Sequence, residues 1–127
     1  MERVIITIDE YGNIILPKNV ANVWMSEPEL VELFGVIVPT LRIAIRAVYK
    51  SGVLKEYAVQ KYVQLENGYH ADVFGFPMIA AIAFRISTFG AEQVRNAILE
   101  RLYLRKEKTC IIFSPGINNM KVTKYQA

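Results

Sequence analysis

Gly35, set between Leu33-Phe34 and Val36-Ile37-Val38-Pro39, constrains this chain more than any other residue. A glycine there ends a helix in the left-handed region without a Cβ penalty, and a proline four residues later is tolerated only in the first turn of a new helix. Upstream, Ser26-Glu27-Pro28-Glu29 reads as a capping box, with the proline in a first turn where no donor is missed. The spacing therefore predicts a short helix from the capping box to about Phe34 and a second one from near Pro39 to Ser51-Gly52. Two helices joined by so tight a turn have the outline of a helix-turn-helix.

Beyond the second helix the pattern changes to that of strands. Glu56 to Leu65 alternates loosely, Glu66-Asn67-Gly68 is a hairpin turn, and Tyr69 to Phe74 returns, so a β-hairpin wing is expected directly after the helix pair. At the front, Val4 to Ile8 and Asn13 to Leu16 are β-branched runs joined by Asp9-Glu10-Tyr11-Gly12, a second hairpin. Pro77 opens a buried helix to about Ile86. Another helix is expected from Ser87 or Thr88 to about Tyr103, its core face set by Ala91, Val94, Ala97, Ile98 and Leu102. Cys110-Ile111-Ile112-Phe113 reads as a last strand, pairing with the N-terminal hairpin, and Ser114 onwards as a loose polar tail. The fold class is α+β: a winged helix-turn-helix-like core with an N-terminal β-hairpin and additional C-terminal helices. It forms a single domain over residues 1–113, followed by a tail over 114–127.

On a helical wheel, Leu41, Ala44, Ile45, Val48 and Tyr49 share one arc, which is the core face. Arg42, Arg46 and Lys50 recur every four residues and form a basic stripe beside it. Such a stripe suits a polyanion, because Arg and Lys neutralise phosphates and Arg also pairs with guanine edges. Ile43 and Ala47 lie on the far edge of that stripe, outside the core arc, and Ile37, Val38 and Ile43 are apolar at the leading end where a DNA reader usually carries polar groups. Charge is distributed in the same sense: residues 1–35 hold two basic and six acidic side chains, a balance of −4, whereas residues 36–127 hold thirteen basic and six acidic, a balance of +7.

These residues carry a resemblance. Val23-Trp24-Met25-Ser26, Glu32-Leu33-Phe34-Gly35-Val36, Thr40-Leu41, Gly52-Val53-Leu54, the hairpin after it, Met78 to Ile86 and Gln93-Val94-Arg95 keep the order and spacing of the RhuM-like virulence-associated proteins of bacteria over about residues 4–103. The resemblance implies a helix-turn-helix-like module, similar to phage anti-repressor DNA-binding domains, from pathogenicity islands and mobile elements. Two departures stand out: the family's polar lead-in to the second helix is here Ile37-Val38-Pro39, and its basic pair before the last helix is Phe89-Gly90.

Chemistry at an active site is not expected. One histidine, His70, and one cysteine, Cys110, cannot make a metal site or an internal disulfide, and a Ser51, His70 and Asp72 triple is of a kind that any chain of this length offers. No cofactor or small-molecule substrate is implied. Trp24 reads as a staple against the first helix. The longest apolar runs stop well short of the about 20 residues that a bilayer crossing needs, and the N-terminus is acidic at once, so a cytoplasmic protein is expected. The leading expectation is a non-enzymatic, homodimeric protein that binds double-stranded DNA. Arg42, Arg46 and Lys50 would contact phosphates or bases, and Lys55 and Lys61 at the wing would add backbone contacts. The alternative is a protein-interaction module that keeps the fold and buries Ile37, Val38, Ile43 and Ala47 against a partner or its own copy.

Overall fold

The computed structural model describes the backbone of residues 3–113 and the side chains of residues 3–103. The chain is mixed α and β, with two small antiparallel sheets. Its elements in order are β1 (Thr7–Ile8), β2 (Ile14–Ile15), a 3₁₀ turn at Val20–Asn22, β3 (Trp24–Ser26), α1 (Glu27–Phe34), α2 (Val38–Ser51), α3 (Glu56–Val59), β4 (Gln60–Gln64), β5 (His70–Gly75), α4 (Phe76–Ala83) and α5 (Phe89–Phe113). Two compact units divide it, Met1–Ala97 and Ile98–Ala127.

Local chemistry explains the helix pair. Ser26 is extended at the N-cap of α1, and its N–H donates to Glu29 Oε1 at 2.8 Å. Gly35 takes a left-handed conformation, φ 65°, and donates its N–H to the Val31 carbonyl, which ends α1 at the expected place. Pro39 lies in the first turn of α2, and Gly52, φ 80°, caps its far end. Leu41, Ala44, Ile45 and Val48 are buried along one face of α2, with Tyr49 half-buried at its edge.

Around these helices the larger sheet runs β3–β5–β4, with α1 and α2 inserted in the chain between β3 and β4. Trp24 pairs with Gly75 and Ser26 with Val73, while Gln60 pairs with Phe74 and Gln64 with His70. The core gathers Met25, Leu30, Phe34, Leu41, Val73, Met78, Ile79, Ile82 and Val94, all essentially inaccessible. Phe34 also marks where α5 begins: its carbonyl accepts the Thr88 hydroxyl at 2.6 Å, and Thr88 Oγ1 in turn accepts the Ala91 N–H at 3.1 Å. A Cβ on Gly90 would strike the Leu33 carbonyl oxygen, so glycine is what lets this end of α5 approach α1. Arg95 donates to the carbonyls of Ala83 and Ile86, both at 2.7 Å, satisfying the end of α4.

Several expectations are corrected. Glu56 to Val59 is a single helical turn rather than strand, with Val59 buried; a period of two over four residues does not separate the two states. Cys110-Ile111-Ile112-Phe113 is the end of α5 and not a strand, so it does not pair with the N-terminal hairpin. A short β-branched run carries no stop signal, and the first breakers after Gly90 are Ser114-Pro115-Gly116. Leu102, expected in the core, is 57% exposed, whereas Ala91 and Val94 are buried as expected and Ala97 and Ile98 half-buried. The tail expected over 114–127 lies outside the described residues. Among the described residues no helix is long and apolar enough to cross a membrane.

A backbone bridge and the Arg3 side chain fasten the N-terminal segment. Val4 bridges Val23 in parallel, and this delivers Arg3 to the start of α1. Its guanidinium makes two hydrogen bonds to the Glu29 carboxylate, at 2.8 and 3.1 Å, one to Glu66 Oε1 at 2.8 Å and one to the Trp24 carbonyl at 2.9 Å, with its side chain only 4% exposed. Arg3 Nε is buried without a partner among the described residues. The bond to Glu29, against the cost of burial, holds the Arg3 pKa above its ordinary value. Burial pushes the Glu29 carboxyl up, but hydrogen bonds from Arg3 and the Ser26 N–H outweigh it, so its pKa falls below 4.5.

Replacing Arg3 by Met keeps the stem and strands the Glu29 carboxylate, and urea unfolding is expected to show a loss of about 3 kcal/mol. A lowered carboxylate pKa stabilises above the unfolded value and loses that effect as pH falls through the folded one. The gap between Arg3→Met and the parent should therefore be widest above the unfolded carboxylate value and narrow as pH falls through the folded value of Glu29. A gap of the same size from neutral to acid pH, or equal stability at neutral pH, would contradict this role for Arg3.

Candidate nucleic-acid interface

The solvent face of α2 carries the basic stripe. Arg42, Arg46 and Lys50 are all exposed on it, with Ile43 in their midst at 60% exposure and Ile37 at 67% just before the helix. Val38 and Ala47, the other two apolar positions singled out from the sequence, are half-buried. No acidic residue lies in the first turn of α2, so its positive N-terminal end is not screened from within the helix.

Beside this face lies an open cleft of about 370 Å³ between the start of α1, the middle of α2 and the β4–β5 hairpin. Arg42 and Arg46 line one side, Glu27 and Asp72 the other sides, and Ile45 and Phe74 contribute apolar surface. The strand period explains which hairpin residues reach it: Gln60, Tyr62 and Gln64 share a face with His70, Asp72 and Phe74, and Gln60, Asp72 and Phe74 line the cleft. Tyr49 ties α2 to that face by donating its hydroxyl to Gln60 Oε1 at 2.7 Å.

Charges in the cleft are not all free. Arg42 donates through Nε to Glu27 Oε2 and through Nη2 to Glu27 Oε1, both at 2.9 Å, a bidentate pair joining α2 to the first residue of α1. That pair raises the Arg42 pKa above its ordinary value. Arg46 and Lys50 form no ion pair among the described residues.

The wing lysines divide differently. Lys61 lies on the opposite face of the hairpin, its ammonium 4.2 Å from the centre of the Trp24 ring, a cation–π contact. Lys55 is exposed at the N-cap of α3. The structure thus brings Arg42, Arg46 and Lys50 together on one surface and sets Lys61 apart from them. Trp24 stands on β3 opposite Gly75, where a Cβ would come within 3.3 Å of its ring, and beneath Lys61.

Aromatic side chains remain exposed on the hairpin. Tyr62 and His70 stack with ring centres 5.6 Å apart and planes 19° from parallel, and Tyr57 and Tyr69 are more than 70% exposed. Ser51 donates its hydroxyl to the Val48 carbonyl at 2.6 Å. Among the described residues no group of three or more His, Cys, Asp or Glu side chains could hold a metal ion. Sequence reasoning missed Glu27 and Asp72 as members of this surface. Glu27 was visible only as part of a capping box, and its partner Arg42 sits 15 residues away on another helix.

Compared with known proteins, the chain matches no protein-family model, no curated protein and no solved structure.

Burial raises the Tyr49 phenol, and the negative charges of Glu56 and Asp72 add to it, to about 12 against an ordinary 10.0. A raised pKa favours the protonated form in the folded state, so this contribution is complete below pH 10.0 and is lost as pH climbs towards about 12. Denaturant midpoints followed over that window should fall more steeply for the parent than for Tyr49→Phe. Parallel curves would mean that Tyr49 does not titrate as its surroundings dictate.

Proposed function

We propose that this chain binds double-stranded DNA, laying α2 into the major groove with the β4–β5 hairpin flanking it, on a winged helix-turn-helix plan. One observation carries the reading: Arg42, Arg46 and Lys50 stand exposed at four-residue spacing on a single face of a helix that comes directly after a tight glycine turn. The strand order β3–β5–β4, with the helix pair between β3 and β4 and the hairpin after α2, supports the same plan.

The chemistry of that face suits a duplex. Arg46 and Lys50, unpaired among the described residues, are suited to phosphates, whose neutralisation releases counterions and drives binding. The unscreened N-terminal end of α2 favours a phosphate as well. Ile43, exposed among the cations, fits the C5 methyl of thymine, the apolar mark that the major groove displays. The exposure of Ile37 and Ile43 also favours a second reading, in which the same face is buried against another copy of the chain and competes with DNA. The resemblance to RhuM-like proteins adds a setting, bacterial mobile elements.

Fluorescence anisotropy on a labelled duplex at several salt concentrations tests the DNA reading. Removing one cation that neutralises a phosphate should flatten the plot of log affinity against log salt by about 0.9. Arg46→Ala with Lys50→Ala should therefore flatten it by about 1.8 while leaving the circular dichroism spectrum unchanged, because both side chains are exposed. Absence of duplex binding at low salt, or a double variant that binds like its parent, would contradict the reading.

A further inference from the structure

The cations of α2 are not equivalent, and the difference lies in their hydrogen bonds. Resting on the DNA reading of this face, we infer that Glu27 is a positioning residue that sets Arg42 to recognise guanine. Arg42 commits the N–H of Nε and one N–H of Nη2 to the two oxygens of Glu27, at 2.9 Å each. A guanidinium has five N–H groups in a rigid plane, so three remain: both on Nη1 and the outward one on Nη2. The outward pair on Nη1 and Nη2 is parallel and points away from the side-chain stem. This is the fork that guanine O6 and N7 accept in the major groove.

Glu27 is built to hold that fork still. It is the first residue of α1, immediately after the Ser26 cap, and its carboxylate lies at the positive end of the helix. Ser26 is in turn paired with Val73 on the sheet, which fixes where α1 begins. The Glu27 side chain is 28% exposed and that of Arg42 58%, so the acid is the recessed partner and the arginine projects. A bidentate acid restrains rotation of the guanidinium that a free arginine would lose on binding, and so lowers the entropic cost of base contact. Arg46, one helical turn on and unpaired among the described residues, keeps its freedom and suits a phosphate, which demands no single orientation. The same helix thus holds one oriented reader and two mobile anchors.

The alternative effect of the same contact is masking, in which Glu27 merely cancels the Arg42 charge. The two differ in what removal of the acid does. As a positioning residue, Glu27 improves discrimination and leaves general affinity largely alone. As a mask, it weakens binding to every duplex.

The test is selection of binding sites from a short duplex library randomised at its central base pairs, followed by anisotropy on the selected duplex and on versions with each guanine replaced. The parent, Glu27→Gln, Glu27→Ala and Arg42→Ala are compared. Glu27→Gln keeps the shape of the helix start, and circular dichroism checks that all four fold alike. The parent should prefer guanine at one position by about ten- to a hundredfold. Arg42→Ala should abolish that preference, and both Glu27 variants should reduce it severalfold without changing affinity for a non-selected duplex or its salt dependence. A Glu27→Ala protein that keeps the full guanine preference, or that binds all duplexes more tightly in equal proportion, overturns the inference. A parent that binds duplexes with no guanine preference overturns it while leaving DNA binding intact. A parent that binds no duplex at low salt overturns the DNA reading itself, and the inference with it.

Discussion

The register between β3 and β5 sets the geometry of the whole candidate surface. Ser26 pairs with Val73 and simultaneously caps α1, so the first residue of that helix, Glu27, is set beside Asp72 on the hairpin. A shift of one residue would turn Met25 out of the core and carry the start of α1 away from the cleft. Because α1 then stops at Gly35 and α2 starts three residues later, the direction of the basic stripe is set by the same pairing. The hairpin strand β4 closes the other side through Tyr49 and Gln60.

Arg3 protects this arrangement from behind. It joins Glu29 on α1, the Trp24 carbonyl on β3 and Glu66 in the turn of the hairpin, three separate pieces that the sheet register alone leaves connected only at one edge. Buried ion pairs often contribute little net stability, and here Arg3 Nε has no hydrogen-bond partner among the described residues. The value of the pair is geometric: removing it would free the start of α1, and with it Glu27. The acids of the front third of the chain, which give that region its negative balance, thus include two that hold basic side chains. Glu29, with Glu66 of the hairpin turn, holds Arg3, and Glu27 holds Arg42. Arg46 and Lys50 form no such pair among the described residues and face outward.

How much of this could be read from sequence depends on the range of each signal. Both helices of the pair were legible because their punctuation is local: a capping box, the positive-φ glycines Gly35 and Gly52, and prolines in first turns. The basic stripe and the core face of α2 came from helical period alone. The contacts that shape the site were not legible, since Arg3 meets Glu66 across 63 residues, Arg42 meets Glu27 across 15, and Lys61 meets Trp24 only because β3 and β4 flank the same strand. No periodicity reports such pairs. Where local signals competed, the helix won: α3 and the end of α5 both carry β-branched or alternating residues, yet neither contains a breaker to stop a helix.

If α2 and the hairpin beside it form one DNA-facing surface, both should respond to a duplex together. Titration of the ¹⁵N-labelled protein with a short duplex, read through amide and arginine Nε–H nuclear magnetic resonance signals, decides whether they do. Shifts should concentrate in Val38–Ser51 and in the Gln60–Gly75 hairpin, with the Arg42 Nε–H signal retained in the complex because Glu27 still holds it. Shifts confined to the Thr7–Ile15 hairpin or to α5, or none on addition of duplex, would contradict a DNA-facing surface built on α2.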